Sequence, residues 1–122
     1  MTTVEANTED GLNALLTESE PRLVIVKFGA EWCRPCNELQ PYLLGLASEL
    51  QETDCDATFV TVEKTDESDK LFEQYKITRL PTILLFKDNE IQHTLSRPEP
   101  DELRKKVFSL LPARKLILNA DF

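Results

Sequence analysis

Glu31-Trp32-Cys33-Arg34-Pro35-Cys36 is the stretch that decides how this 122-residue chain is read. Before it lies the apolar run Leu23-Val24-Ile25-Val26, and after it Leu39, Leu43, Leu46 and Leu50 recur at helical spacing. Strand, tight turn, two cysteines three apart, helix: that order makes a dithiol–disulfide site. Residues i and i+3 share one side of the first helical turn, so the two sulfurs meet without backbone movement. Cys33 falls at the helix N-terminus, where unpaired N–H groups and the helix dipole favour an anion. A thiolate is the nucleophile in disulfide exchange, so this placement makes Cys33 reactive near neutral pH. Pro35, with its fixed φ, suits the first turn.

Working outward, the length is that of one domain with a real core. Hydrophobic residues at 41% and charged residues at 30% read as an ordinary globular protein. A formal charge of −8 argues against nucleic acid or an anionic membrane as partner. The acids cluster at Glu5, Glu9, Asp10, Glu18 and Glu20 and again from Glu49 to Asp69, while Arg104, Lys105, Lys106, Arg114 and Lys115 form a basic cluster. Such runs read as solvated faces. The N-terminus carries no basic start and no apolar h-region, and the apolar runs are strand-sized. Three cysteines without a secretory signal do not make a structural disulfide framework, so a reducing cytoplasm is the expected compartment.

Along the chain, residues up to Asn7 are either frayed or a short edge strand. Thr8 is placed to cap a helix whose buried side is Leu12, Leu15 and Leu16, ended by Glu20-Pro21. Leu23 to Phe28 is apolar on both faces apart from Lys27, as a central, doubly covered strand is. The helix opened by Cys33 runs to about Leu50, with a kink expected at Pro41. Thr58–Val62 is the next strand, then a short helix from Asp66 or Ser68, then the strand Thr82–Phe86, a turn over Lys87–Glu90 and the strand Ile91–Leu95. A last helix carries Leu103, Val107, Leu110 and Leu111 and stops at Pro112. The order αβαβαββα predicts an α/β fold, a central mixed sheet with helices on both faces.

At this point the chain resembles the thioredoxin family. The resemblance rests on Phe28-Gly29-Ala30-Glu31-Trp32-Cys33-Arg34-Pro35-Cys36, on Pro41, and on Leu80-Pro81-Thr82 before Ile83-Leu84-Leu85-Phe86. It spans about residues 8–111, so 1–111 is taken as a thioredoxin-like domain and 112–122 as an apolar and basic extension. The resemblance implies a thioredoxin fold and a protein-disulfide oxidoreductase acting through a mixed disulfide. It makes Cys33 the attacking and Cys36 the resolving cysteine, and Pro81 a cis proline packed against them. Trp32 becomes an aromatic shield, and Leu80 offers backbone groups to an extended substrate; with Arg34, Pro35 and Pro81 these residues form the substrate surface. It implies protein disulfides as substrates, a thioredoxin reductase or glutathione as electron donor, and no bound cofactor or metal.

The departures from the family pattern matter as well. Arg34-Pro35 replaces the usual Gly-Pro, and a cation beside Cys33 favours its thiolate, making the disulfide a stronger oxidant. Lys27 stands where the family has a buried acid, so it either loses its charge by burial or stays charged and stabilises the Cys36 thiolate. The family's companion lysine aligns with Val62, and its glycine before the last helix gives way to Arg97-Pro98.

Other readings attach to some of these residues. Cys33 and Cys36 could be half of a zinc site, for which Cys55 and His93 are the available completing ligands, without ligand spacing. Cys55 reads as a loop thiol, or else a regulatory or dimer-forming one. His93 is expected to face solvent, and Tyr42, Phe72 and Tyr75 to pack in the core. Leu116-Ile117-Leu118 and Phe122 should fold back on the sheet edge rather than dock on another chain. The alternative function is a thioredoxin-fold binding or scaffold subunit of a larger assembly, against which the intact cysteine pair weighs. A third is an oxidant or isomerase tuned by Arg34 and Lys27.

Overall fold

A computed structural model describes residues 3–18, 23–52 and 57–111. Its elements are β1 (Thr3–Glu5), α1 (Glu9–Glu18), β2 (Leu23–Gly29), α2 (Arg34–Glu52), β3 (Ala57–Glu63), α3 (Asp69–Gln74), β4 (Thr82–Lys87), β5 (Glu90–Ser96) and α4 (Pro100–Ser109). The sheet order is β1-β3-β2-β4-β5. β1 and β2 run parallel to β3; β4 is antiparallel to β2 and to β5. Of the two readings of the N-terminus, the short edge strand is the one adopted.

The central strand has both faces covered, and the strand period of two sorts its residues between them. Leu23 and Ile25 join Leu39, Leu43, Leu46 and Leu50 of α2 and Leu103 and Val107 of α4. Val24, Val26 and Phe28 join Leu12 and Leu16 of α1 and Leu71 and Phe72 of α3. Lys27 therefore falls on the α2 side. On the α3 side Phe28, Phe72, Tyr75 and Phe86 form an aromatic chain with centroids 5.1 to 6.1 Å apart.

Local chemistry sets the helix ends. Thr8 Oγ1 accepts the Gly11 N–H at 3.1 Å, the cap expected of it. Pro41 does not interrupt α2. α3 starts at Asp69, a residue beyond Ser68. The buried Ser68 hydroxyl is used instead on the loop before the helix, where it donates to the Glu63 carbonyl and accepts the Thr65 N–H. α3 closes in a Schellman turn: Lys76 has φ 55°, Ile77 N–H reaches Phe72 O and Lys76 N–H reaches Glu73 O. Asp88 and Asn89, at φ 54° and 63°, make the two-residue hairpin between β4 and β5.

Two expectations are corrected. Tyr42 is not core: it is 58% exposed, because the buried stripe of α2 runs through Leu39 and Leu43 on the neighbouring arc. His93 does not simply face solvent but is half-buried opposite Leu85, on the α4 side of the sheet. The β4–β5 register slips between Leu85 and Phe86, so Ile91 opposes Phe86 and lies off the face of Leu95, 45% exposed. Cys55, Glu20-Pro21, Pro112 and the apolar tail lie outside the described residues.

Candidate active site

The central strand delivers the site. β2 ends at Gly29, and the Cys33 N–H bonds back to Ala30 O at 3.1 Å, turning the chain tightly into α2. The helix begins at Arg34, so Cys33 is its cap rather than its first residue. Its sulfur does what a capping oxygen does elsewhere: Sγ accepts the Cys36 N–H at 3.2 Å. Cys33 and Cys36 are joined as a disulfide with Cα atoms 5.3 Å apart. Cys33 is 5% exposed and lines a groove; Cys36 is 1% exposed and lines none of the described ones. An incoming sulfur therefore meets Cys33.

Leu80-Pro81 is a cis peptide, as the resemblance implied. Leu80 packs against Ala30, Cys33 and Cys36, and Pro81 is buried. Thr82 Oγ1 donates to Arg79 O, and the Schellman turn of α3 fixes the other end of this loop. Arg97, where the family has glycine, keeps a left-handed backbone, φ 47°. Its backbone N–H donates to Pro81 O at 2.8 Å and its Nε to Leu80 O at 2.9 Å. Of the Leu80 backbone groups expected to be offered to substrate, the carbonyl thus accepts from an arginine. Trp32 stands 75% exposed beside the disulfide. Trp32, Cys33, Arg34, Pro35 and Leu80 line a groove of about 480 Å³. A second groove, about 350 Å³, lies on the other side of Arg97 and is lined by Pro35, Tyr42, Pro81, Glu38 and Glu99.

Lys27 is 8% exposed and lies under the start of α2. Nζ donates to Gln40 Oε1 at 2.6 Å and reaches Cys36 O at 3.5 Å. Burial pulls its pKa below the ordinary lysine value, and the Glu63 carboxylate pulls the other way. Both Gln40 and Glu63 escaped the sequence reading. The only available signal was register: Glu63 is opposite Gly29, two residues on from Lys27 and on the same face. Val62 is buried on the other face. Lys27 on β2 thus feels the field of a carboxylate on β3, Glu63. Lys64 is committed elsewhere, to Asp69 at 2.9 Å and over the Phe72 ring at 4.7 Å.

Among the described residues no group of His, Cys, Asp and Glu could hold a metal ion. No described helix is long and apolar enough to cross a membrane.

A two-cysteine pair at the head of a helix, with one sulfur facing a groove and one behind it, on this sheet, defines a thiol–disulfide oxidoreductase. The thioredoxin family model matches residues 3–109. The thioredoxin of Chlamydia trachomatis is 39% identical over 88 residues, 70% of this chain and 79% of that protein. Thioredoxin-1 of Caenorhabditis elegans is 30% identical over 100 residues, 82% of this chain and 83% of its own length. The solved thioredoxin of Fasciola hepatica superposes with TM-score 0.77 at 28% identity, covering 86% of this chain and 96% of that one. The chain belongs to the thioredoxin family, and its substrates are accordingly protein disulfides.

Proposed function

We propose that this protein reduces protein disulfides in the cytoplasm, with Cys33 as attacking and Cys36 as resolving thiol. The Cys33 thiolate attacks one sulfur of a substrate disulfide; that bond breaks, a mixed disulfide forms, and the departing thiolate takes up a proton. Cys36, deprotonated, then attacks Cys33 Sγ, closing the intramolecular disulfide and releasing the second substrate thiol. Two electrons pass to the substrate, and a thioredoxin reductase or glutathione returns them. No bound cofactor takes part. Trp32, Arg34, Pro35, Leu80 and Pro81 contact the substrate, while Arg34 and Lys27 tune the thiolates.

The observation that carries this reading is the 3.2 Å contact from the Cys36 N–H to Cys33 Sγ. After reduction, the same donor and the helix dipole stabilise a thiolate on the one sulfur that faces the groove. The test is substitution of each cysteine. Cys33→Ser removes disulfide reduction, and Cys36→Ser accumulates mixed disulfides visible by mass spectrometry. Reduction retained by Cys33→Ser would refute the assignment.

A further inference from the structure

The groove beside Cys33 has a charge opposite to that of the protein as a whole. Its lining includes Arg34, Lys64, Arg79 and Arg97 and no carboxylate, in a chain of formal charge −8. Lys64 is shared with Asp69. Arg34 and Arg79 are exposed and make no ion pair among the described residues, and Arg97 is held by a neutral carbonyl. α1, α3 and α4 each carry acid in the first turn, as the helix dipole favours; α2 carries none and starts with Arg34. Two of the cations sit on a restrained backbone. The Arg79 carbonyl accepts from Thr82 Oγ1, and the Arg97 backbone N–H donates to Pro81 O. The second groove shares Arg97 but sets it beside Glu38 and Glu99, so the unbalanced positive charge belongs to the groove at Cys33.

Building on the reductase reading above, we infer that this groove selects substrate disulfides flanked by acidic residues, with Arg34, Arg79 and Arg97 as the specificity-determining residues. Apolar contact with Trp32, Ile77 and Leu80 holds a peptide of any sequence near Cys33. The guanidinium groups add bidentate pairing with Asp and Glu side chains, and they raise the encounter rate with acidic segments that the rest of the protein repels.

The test uses two synthetic peptides, each closed by one intrachain disulfide, with either aspartates or lysines flanking the cysteines. The pre-reduced protein is mixed with each, and its single-turnover rate is divided by the rate of dithiothreitol with the same peptide, which removes intrinsic thiol reactivity. At low salt the acid-flanked peptide should be favoured about tenfold, and the preference should fall steeply at about 0.5 M salt, where screening is strong. Arg79→Glu, an exposed substitution, should abolish or invert the preference. Equal normalised rates, or a preference for lysine, would overturn the inference while leaving the reductase reading intact. Reaction with neither peptide would overturn both.

Discussion

Lys27 and Cys36 face each other across a missing side chain. A Cβ placed on Gly29 would lie 3.2 Å from Cys36 Sγ and 3.3 Å from Lys27 Cε. Beside the resolving sulfur thus stands a lysine whose pKa burial lowers, while the field of Glu63 opposes that shift and Gln40 accepts its hydrogen bond.

Lys27→Met removes the cation and keeps the volume. The reduced pair loses an electrostatic stabiliser of its thiolate, so the reduction potential should fall by ~10–30 mV, a few-fold to tenfold in the glutathione equilibrium. That shift should disappear at alkaline pH, once Lys27 of the parent protein is itself neutral. Equilibration against glutathione mixtures at two pH values reads both effects.

The same substitution should stabilise the oxidised protein by about 1 kcal/mol at neutral pH, because a buried charge gives way to an apolar chain. Below the folded pKa of Lys27 the burial cost is fully present. Between that value and the ordinary 10.5 the unfolded chain holds the extra proton, so parent stability rises with pH. Urea unfolding of both proteins should therefore show the gap narrowing from neutral toward alkaline pH. A gap that widens would mean that Lys27 is stabilised, not penalised, by its site.

Gly29→Ala should destabilise the fold by about 1 kcal/mol, since one neighbour of the new methyl is the constrained Cys36 sulfur and both contacts are tight. Combined with Lys27→Ala, which clears the flexible neighbour, the cost should be smaller than the sum of the two changes. A double-mutant cycle by chemical denaturation measures this directly.

Arg97→Gly removes a left-handed φ from a side-chain-bearing residue but adds glycine's flexibility to the unfolded chain. Those effects oppose each other, so stability should change by less than about 1 kcal/mol. Function should change more. With the Leu80 carbonyl released, an uncharged extended peptide disulfide should be reduced a few-fold faster, and an acid-flanked one should not share that gain.

Much of the site could be read from the chain itself because its signals are local. The tight turn, the cysteine spacing and the leucines of α2 lie within a few turns of one another, and the apolar Leu23–Phe28 run announces a covered strand. What escaped depends on distant pairs. Gln40 meets Lys27 only after α2 folds over β2, and Glu63 joins it only through strand register. The Arg97 contact to Leu80 closes across seventeen residues. Tyr42 illustrates another limit: helical spacing identifies a stripe, but a residue beside the stripe can face the groove instead of the core. The slip in β5 likewise has no signature in the plain alternation of Ile91 to Leu95.

The exposed indole of Trp32 has an optical consequence. It is the chain's one tryptophan, and it adjoins Cys33. A disulfide quenches excited indole, whereas thiols do so less, so the opening and closing of the Cys33–Cys36 bond should be written into the emission intensity. The indole should thus serve as a built-in redox indicator, checked by comparing emission of the oxidised and reduced protein. Every substrate that settles in the groove against that ring should register on the same signal, without a label.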